Sequence, residues 1–97
     1  MISPNPFNTR VKDMLHFFYG EECPHCHTML PIVDKLIEEG VKIEKHETWH
    51  NEENAKLFDA KDKGTCGGVP FFYSDESGES ICGETSEKKV RKWAGLT

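Results

Sequence analysis

The stretch Cys23-Pro24-His25-Cys26 decides how the rest of the chain is interpreted. The residues before it, 17–20, are typical of the end of a buried strand, and the residues after it, 27–39, are typical of a helix. At such a junction the helix N-terminus favours a thiolate at Cys23, and Cys26 is within reach to close a disulfide with it. The stretch therefore indicates dithiol–disulfide chemistry.

The length and charge of the chain restrict its function. Its 97 residues suffice for one small domain with a modest core, and its formal net charge is −5 at pH 7. Phosphate binding needs a basic face, so we expect no nucleic-acid partner. No run approaches the ~20 apolar residues that span a bilayer, so we expect no membrane partner. The chain is expected to act as a monomer.

The first residues differ from the rest in composition. Residues 1–12 carry two prolines and two asparagines with little periodicity, which predicts a flexible N-terminal arm before a domain at residues 13–97. The N-terminus lacks the basic and apolar regions of a signal peptide, so the expected location is cytoplasmic. In a reducing compartment, four cysteines indicate catalysis or metal binding rather than a structural framework.

Four strands and three helices are predicted in the order β-α-β-α-β-β-α. The strands are predicted at residues 14–19, 41–46, 69–73 and 79–82, and the helices at 27–39, between the cap residue Asn51 and Gly64, and after Ser86. A right-handed crossover makes the first two strands parallel, and a tight turn makes the last two antiparallel. The expected fold class is α/β, with a four-stranded mixed sheet and helices on both faces.

This order, together with Cys23-Pro24-His25-Cys26 and Gly68-Val69-Pro70, resembles the thioredoxin superfamily in its small, glutaredoxin-sized form. The resemblance covers about residues 13–95. It depends on three spacings: the CxxC after a strand, Pro31 five residues beyond the second cysteine, and Pro70 at the start of the third strand. It implies a thioredoxin-like fold and a thiol–disulfide oxidoreductase. The implied partners are a disulfide-containing protein or small thiol substrate and an unidentified reductant, with no cofactor and no metal.

The resemblance also implies roles for the residues of the motif. Cys23 would be the exposed nucleophile and Cys26 the buried resolving thiol. Pro24 and His25 would line the substrate site. The same Pro-His dipeptide occurs in the oxidant DsbA, where the histidine helps to stabilise the thiolate.

Two further residues take roles from the resemblance, and two depart from it. Pro70 corresponds to the family's cis-proline facing the disulfide, and Val69 would offer its backbone to an extended substrate. Thioredoxins usually carry Trp where this chain has Glu22, and a buried Asp where it has Phe17. A carboxylate at Glu22 is expected to disfavour a nearby thiolate.

Cys66 and Cys82 leave three interpretations open. They form a second disulfide, since the last hairpin places Cys82 beside the start of the third strand. They join the CxxC in a metal-binding or iron–sulfur-binding module, which is the alternative function. Or they are two small buried residues without chemistry. For the CxxC, redox chemistry is preferred over structural zinc because no second CxxC pair is present.

Structural roles are expected for several other polar and aromatic residues. His16 is expected to be a structural histidine with its hydrogen bonds satisfied, and Trp49 is expected to pack rather than to bind substrate. A group of acidic residues either gathers at the mouth of the site or forms ordinary solvated surface, which is slightly preferred. The group consists of Glu21, Glu22, Glu47, Glu52 and Glu84.

Overall fold

The computed structural model describes residues 15–96, so the predicted flexible arm at residues 1–12 lies outside the described residues. The elements are β1 Leu15–Tyr19, α1 Pro24–Glu38, β2 Ile43–Glu47, α2 Glu52–Asp62, β3 Phe71–Ser74, β4 Ser80–Cys82 and α3 Glu87–Trp93. This is the order that the sequence predicts. The α/β fold class is therefore confirmed.

The four strands form one mixed sheet in the order β2-β1-β3-β4. β1 and β2 are parallel, with Phe18 opposite His46, whereas β3 is antiparallel to both of its neighbours, with Phe72 opposite Phe17. The carboxyl ends of β1, β2 and β4 and the start of β3 therefore lie at one edge of the sheet. The segments that carry the four cysteines, two of them in α1 and β4, meet at this edge.

The larger core lies between the sheet, α1 and α3. Phe17 contacts Phe72 with ring centroids 4.8 Å apart, and Trp93 of α3 packs edge-on against Phe72 at 5.2 Å. α1 contributes a stripe at helical spacing, Met29, Val33 and Leu36, all 0% exposed. Each such side chain contributes roughly 1.5–3 kcal/mol by its burial.

The opposite face of the sheet is covered by α2. Because side chains alternate along a strand, Phe18 and Phe71 point away from the larger core. Phe58 of α2 packs edge-on against both rings, at 5.5 and 5.4 Å. The predicted placement of helices on both faces is thus confirmed.

His16 lies on this second face and has both ring nitrogens engaged. It is 4% exposed and hydrogen-bonded to His46 and to Asp75. This agrees with the expectation of a histidine whose hydrogen bonds are satisfied.

Burial and the neighbouring His16 lower the pKa of His46, which keeps the His46 imidazole neutral at pH 7.

α1 begins three residues earlier than predicted, at Pro24 instead of His27. Cys23 occupies the N-cap and Pro24 the first helical position, where the missing N–H of proline costs no hydrogen bond. Pro31 lies inside the helix, which continues past it to Glu38. The motif is therefore the first turn of α1 and not a loop in front of it.

Cys66 and Cys82 form a disulfide, with their Cα atoms 5.6 Å apart. It links the loop after α2 to the end of β4, where Cys82 pairs with Phe71. The first of the three interpretations of this pair is therefore correct. Cys82 is exposed, so the interpretation of two buried residues without chemistry is wrong.

Removing this disulfide should destabilise the fold. The two cysteines are 16 positions apart in the sequence, and closing a loop of about that size stabilises a protein by about 3 kcal/mol through the entropy of the unfolded chain. We expect the double variant Cys66→Ser/Cys82→Ser to lose roughly that free energy of unfolding in urea denaturation. A free energy equal to that of the parent protein would contradict this role.

Gly20, just after β1, leaves room for the indole ring of Trp49. A Cβ atom at Gly20 would lie 2.2 Å from Cδ2 of Trp49, which is too close for both to keep their positions. The other side of the ring faces solvent, since Trp49 is 53% exposed. The expectation that Trp49 packs is therefore correct for one side of the ring only.

The variant Gly20→Ala should therefore lower the free energy of unfolding, by about 1–3 kcal/mol, because the new methyl group displaces the ring. In a Trp49→Ala background the same substitution should cost much less, since the space is then empty. Urea denaturation of the four proteins gives the coupling between the two positions. Equal costs in both backgrounds would show that the ring is not the obstacle.

Candidate active site

Cys23 lies between β1 and α1, at the N-cap of the helix. Its N–H donates to the carbonyl of Gly20 at 3.0 Å, and its Sγ accepts a hydrogen bond from the N–H of Cys26 at 3.2 Å. The sulfur therefore takes the part that a Ser or Asp oxygen usually takes at a helix N-cap. An N–H donor and the helix dipole both stabilise negative charge on that sulfur.

Cys26 lies one turn deeper and is 0% exposed. Burial, together with the hydrogen bond to Cys23, raises the pKa of Cys26 to about 12. Its thiol is therefore protonated at neutral pH. Both thiols of the motif are free, so the structure shows the dithiol form, with one sulfur at the cap and one in the core.

Cys23 is only 4% exposed, so the expectation of an exposed nucleophile is wrong. Its side chain points at the loop before β3, and Sγ lies 3.9 Å from the carbonyl oxygen of Val69. The peptide bond between Val69 and Pro70 is cis, and Pro70 is buried. The fold thus brings Val69 and Pro70 to the sulfur, while Pro24 and His25 remain on the exposed side of the first helical turn.

The loop that faces Cys23 is held by a residue that the sequence did not single out. Asp62, the last residue of α2, is 3% exposed, and its carboxylate accepts from the N–H groups of Cys66 at 2.6 Å and Gly67 at 2.8 Å. The carboxylate and the disulfide thus fix the same loop. An Asp followed closely by glycines is a common turn signal, which could have suggested this role.

His25 is paired with Glu84, from the loop before α3. Its Nδ1 lies 2.8 Å from Oε1 of Glu84, and both side chains are largely exposed. Gly83, next to Glu84, donates its N–H to the carbonyl of Pro70 at 2.8 Å. The same short loop therefore contacts both the helix that carries the motif and Pro70 in the loop before β3.

The acidic residues at this edge are mostly engaged in hydrogen bonds. Glu47 accepts from the backbone N–H groups of Glu21, Trp49 and His50. Burial alone would raise the pKa of Glu47, but these three donors hold it below its ordinary value. The hydrogen bond and charge of Glu22 raise the pKa of His50, which lies 2.7 Å from it. The preferred interpretation as ordinary solvated surface is therefore incomplete, because these carboxylates order the loops around the motif.

The described residues offer no membrane-spanning element. Among residues 15–96, no helix is both long and apolar enough to cross a bilayer. The site lies at one edge of the sheet, among the loops that follow β1 and β2 and precede β3 and α3.

Comparison by sequence finds no relatives, since no protein-family model matches the chain and no curated protein matches it. Comparison by structure gives clear matches. Mitochondrial thioredoxin 3 of Saccharomyces cerevisiae, in its oxidised form, superposes with a TM-score of 0.61 at 19% identity, covering 96% of this chain and 89% of the yeast protein.

Two further solved structures give the same result. Thioredoxin of Aeropyrum pernix has a TM-score of 0.60 and 23% identity, over 99% of this chain and 85% of that one. DsbF of MTB, in mixed oxidised and reduced forms, has a TM-score of 0.58 and 16% identity, over 89% and 81%. At these identities the likeness concerns the fold. The chain has a thioredoxin-like fold, as the element order and motif spacings imply.

Proposed function

We propose that this protein is a thiol–disulfide oxidoreductase that acts by dithiol–disulfide exchange on protein or small-molecule disulfides. The observation that carries the proposal is the environment of the Cys23 sulfur. It accepts the N–H of Cys26 at 3.2 Å at the start of α1 and lies 3.9 Å from the carbonyl of Val69. A sulfur at a helix N-terminus, beside a second thiol and an extended loop, suits attack on a disulfide.

In the first step the thiolate of Cys23 attacks one sulfur of the substrate disulfide. A bond forms between Cys23 and that sulfur, the substrate S–S bond breaks, and the other substrate sulfur leaves as a thiolate that takes up a proton. The product is a mixed disulfide. The carbonyl of Val69 lies beside the attacking sulfur and Pro70 follows it in the chain, so this loop would position the substrate chain.

In the second step Cys26 resolves the mixed disulfide. Its thiol gives up a proton and attacks the sulfur of Cys23, which releases the second substrate thiol and closes a disulfide between Cys23 and Cys26. Two electrons have passed from the protein to the substrate. The pKa of about 12 keeps Cys26 protonated until this step, so only one sulfur competes for the substrate at first. A dithiol reductant would restore the starting form.

The alternative, a metal-binding or iron–sulfur module using the CxxC with Cys66 or Cys82, receives no support from the geometry. Both sulfurs of Cys66 and Cys82 are bonded to each other, so neither offers a thiolate to an ion. The disulfide instead stabilises the loop that faces Cys23.

We further propose that the protein works as a monomer in the cytoplasm, with neither nucleic acid nor membrane as a partner. The net charge of −5 supports the absence of a nucleic-acid partner. A cytoplasmic location requires the disulfide between Cys66 and Cys82 to persist against cellular reductants, because disulfides are rare in that compartment. Cell fractionation, with the thiol state of the two cysteines trapped on lysis, tests the location.

The roles of the two thiols predict different phenotypes for their variants. Cys23→Ser should abolish the reduction of insulin disulfides with dithiothreitol as electron donor, because the attacking sulfur is gone. Cys26→Ser should also lose turnover but accumulate a mixed disulfide between Cys23 and the substrate, visible by mass spectrometry as an adduct that a reductant removes.

The matched control for both variants is Cys66→Ser/Cys82→Ser, assayed well below its unfolding temperature. It should retain turnover, reduced only as far as the loop that faces Cys23 loses its anchor, because these sulfurs take no part in the exchange. Catalysis that survives Cys23→Ser, or an adduct found on Cys66 or Cys82, would overturn the assignment. So would a parent protein that reduces no disulfide with any dithiol donor.

The pair of His25 and Glu84 should tune the reduction potential of the motif in opposite directions. Removing the imidazole in His25→Ala takes away a ring that can carry a positive charge two residues from Cys23, and should lower the potential, by about 30 mV for a tenfold change in the equilibrium. Removing the carboxylate charge in Glu84→Gln should raise it, because a nearby negative charge disfavours the thiolate. Equilibration with glutathione buffers measures both. Shifts of the same sign would contradict this electrostatic account.

A further inference from the structure

A second group of ligand-type side chains lies on the sheet face covered by α2, away from the motif. His16 on β1 pairs in register with Glu44 on β2, and His46 follows two residues further along β2. Residues two apart on a strand, and residues paired across parallel strands, point to the same face. The three side chains are therefore directed to one side of the sheet by the backbone itself.

The ligand atoms of this group are close enough to share one ion. Nδ1 of His16 lies 3.0 Å from Nε2 of His46, and Oε1 of Glu44 lies 3.7 Å from the same nitrogen. All three atoms lie within 4.8 Å of one another. Ligands at about 2.0–2.2 Å from a tetrahedral zinc ion are separated by roughly 3.3–3.5 Å. The separations of 3.0 and 3.7 Å are within a few tenths of an ångström of those values, and the third pair, His16 and Glu44, lies within 4.8 Å.

A carboxylate behind His16 orients its ring for this purpose. Nε2 of His16 lies 2.8 Å from Oδ2 of Asp75, and Lys61 holds the other oxygen of Asp75 at 2.8 Å. A carboxylate that accepts from Nε2–H leaves Nδ1 of the ring unprotonated, with its lone pair directed at His46. Metal-binding histidines usually have such a carboxylate or carbonyl partner on the second nitrogen.

The two imidazole rings of this group are shielded from water, whereas its carboxylate is open to solvent, so an ion could reach the site. The side chains of His16 and His46 are 5% and 11% exposed, whereas Glu44 is 54% exposed. Phe18 stacks on the His46 ring at 4.9 Å, so apolar surface flanks the two imidazoles. An ion would enter beside Glu44, which brings the negative charge that two neutral imidazoles lack.

We propose that His16, Glu44 and His46 form a binding site for a borderline divalent cation of the zinc class. Two imidazole nitrogens and one carboxylate oxygen form a donor set that suits zinc, and water would complete the coordination. The ion would join β1 to β2 on the face opposite the larger core. Because the site exists only in the folded chain, binding would stabilise the fold. The site is independent of the thiol chemistry proposed above.

Zinc titration of the oxidised protein tests the site. Closing the disulfide between Cys23 and Cys26 beforehand removes the thiols, which would otherwise bind zinc themselves. Competition with a chromogenic zinc indicator should give one equivalent per chain, and zinc should raise the melting temperature. Cobalt(II) should give visible absorption bands of a four-coordinate nitrogen and oxygen site without thiolate charge transfer.

Variants locate the ion. Glu44→Gln changes an exposed side chain and should weaken zinc binding at least tenfold with the fold intact, and His46→Gln should do the same. Asp75→Asn should weaken it about tenfold through the orientation of His16. The matched control is His50→Gln, because Glu21, Glu47 and His50 form another group of potential ligands on the surface.

The His50→Gln control should bind zinc with the affinity of the parent protein. The proposal is overturned if the oxidised parent binds no zinc. It is also overturned if zinc affinity falls in His50→Gln while Glu44→Gln and His46→Gln leave it unchanged. Circular dichroism of each variant verifies that a lost affinity is not a lost fold.

Discussion

The hydrogen bond from the N–H of Cys26 to the sulfur of Cys23 is the contact on which the rest of this structure depends. It caps α1 with a sulfur, so the helix begins within the motif. Cys26, in the first turn of that helix, then points into the core. The two thiols of the motif are unequal, since Cys23 lies at the positive end of the helix whereas burial raises the pKa of Cys26 to about 12. This inequality is what dithiol–disulfide exchange requires.

The cap alone would not make a site, because the sulfur also needs a surface opposite it. That surface is the loop at Val69 and Pro70, which three separate contacts hold in place. The carboxylate of Asp62 binds its first turn, the disulfide between Cys66 and Cys82 ties it to β4, and the N–H of Gly83 reaches the carbonyl of Pro70. In this chain the cysteines outside the motif therefore support the site without taking part in the proposed chemistry.

β1 shows how one short strand serves two purposes. Phe17 faces the larger core and is 0% exposed, at the position where the family resemblance leads one to expect a buried Asp. His16 and Phe18 face α2, where imidazole, carboxylate and aromatic rings meet. Polar groups can be buried on that face because each has a partner, and those same partners make the proposed cation site.

Local signals in the sequence determined the order of the elements, the mixed sheet and the position of Cys23 and Cys26 at a strand-to-helix junction, because these depend on periodicity, caps and short spacings. The tertiary structure alone decided which distant residues meet. It buried the sulfur of Cys23 against Val69, joined Cys66 to Cys82, paired His25 with Glu84 and placed Asp62 under the loop. These contacts connect residues far apart in sequence, and their geometry is set by how the sheet and helices pack, which no local pattern contains.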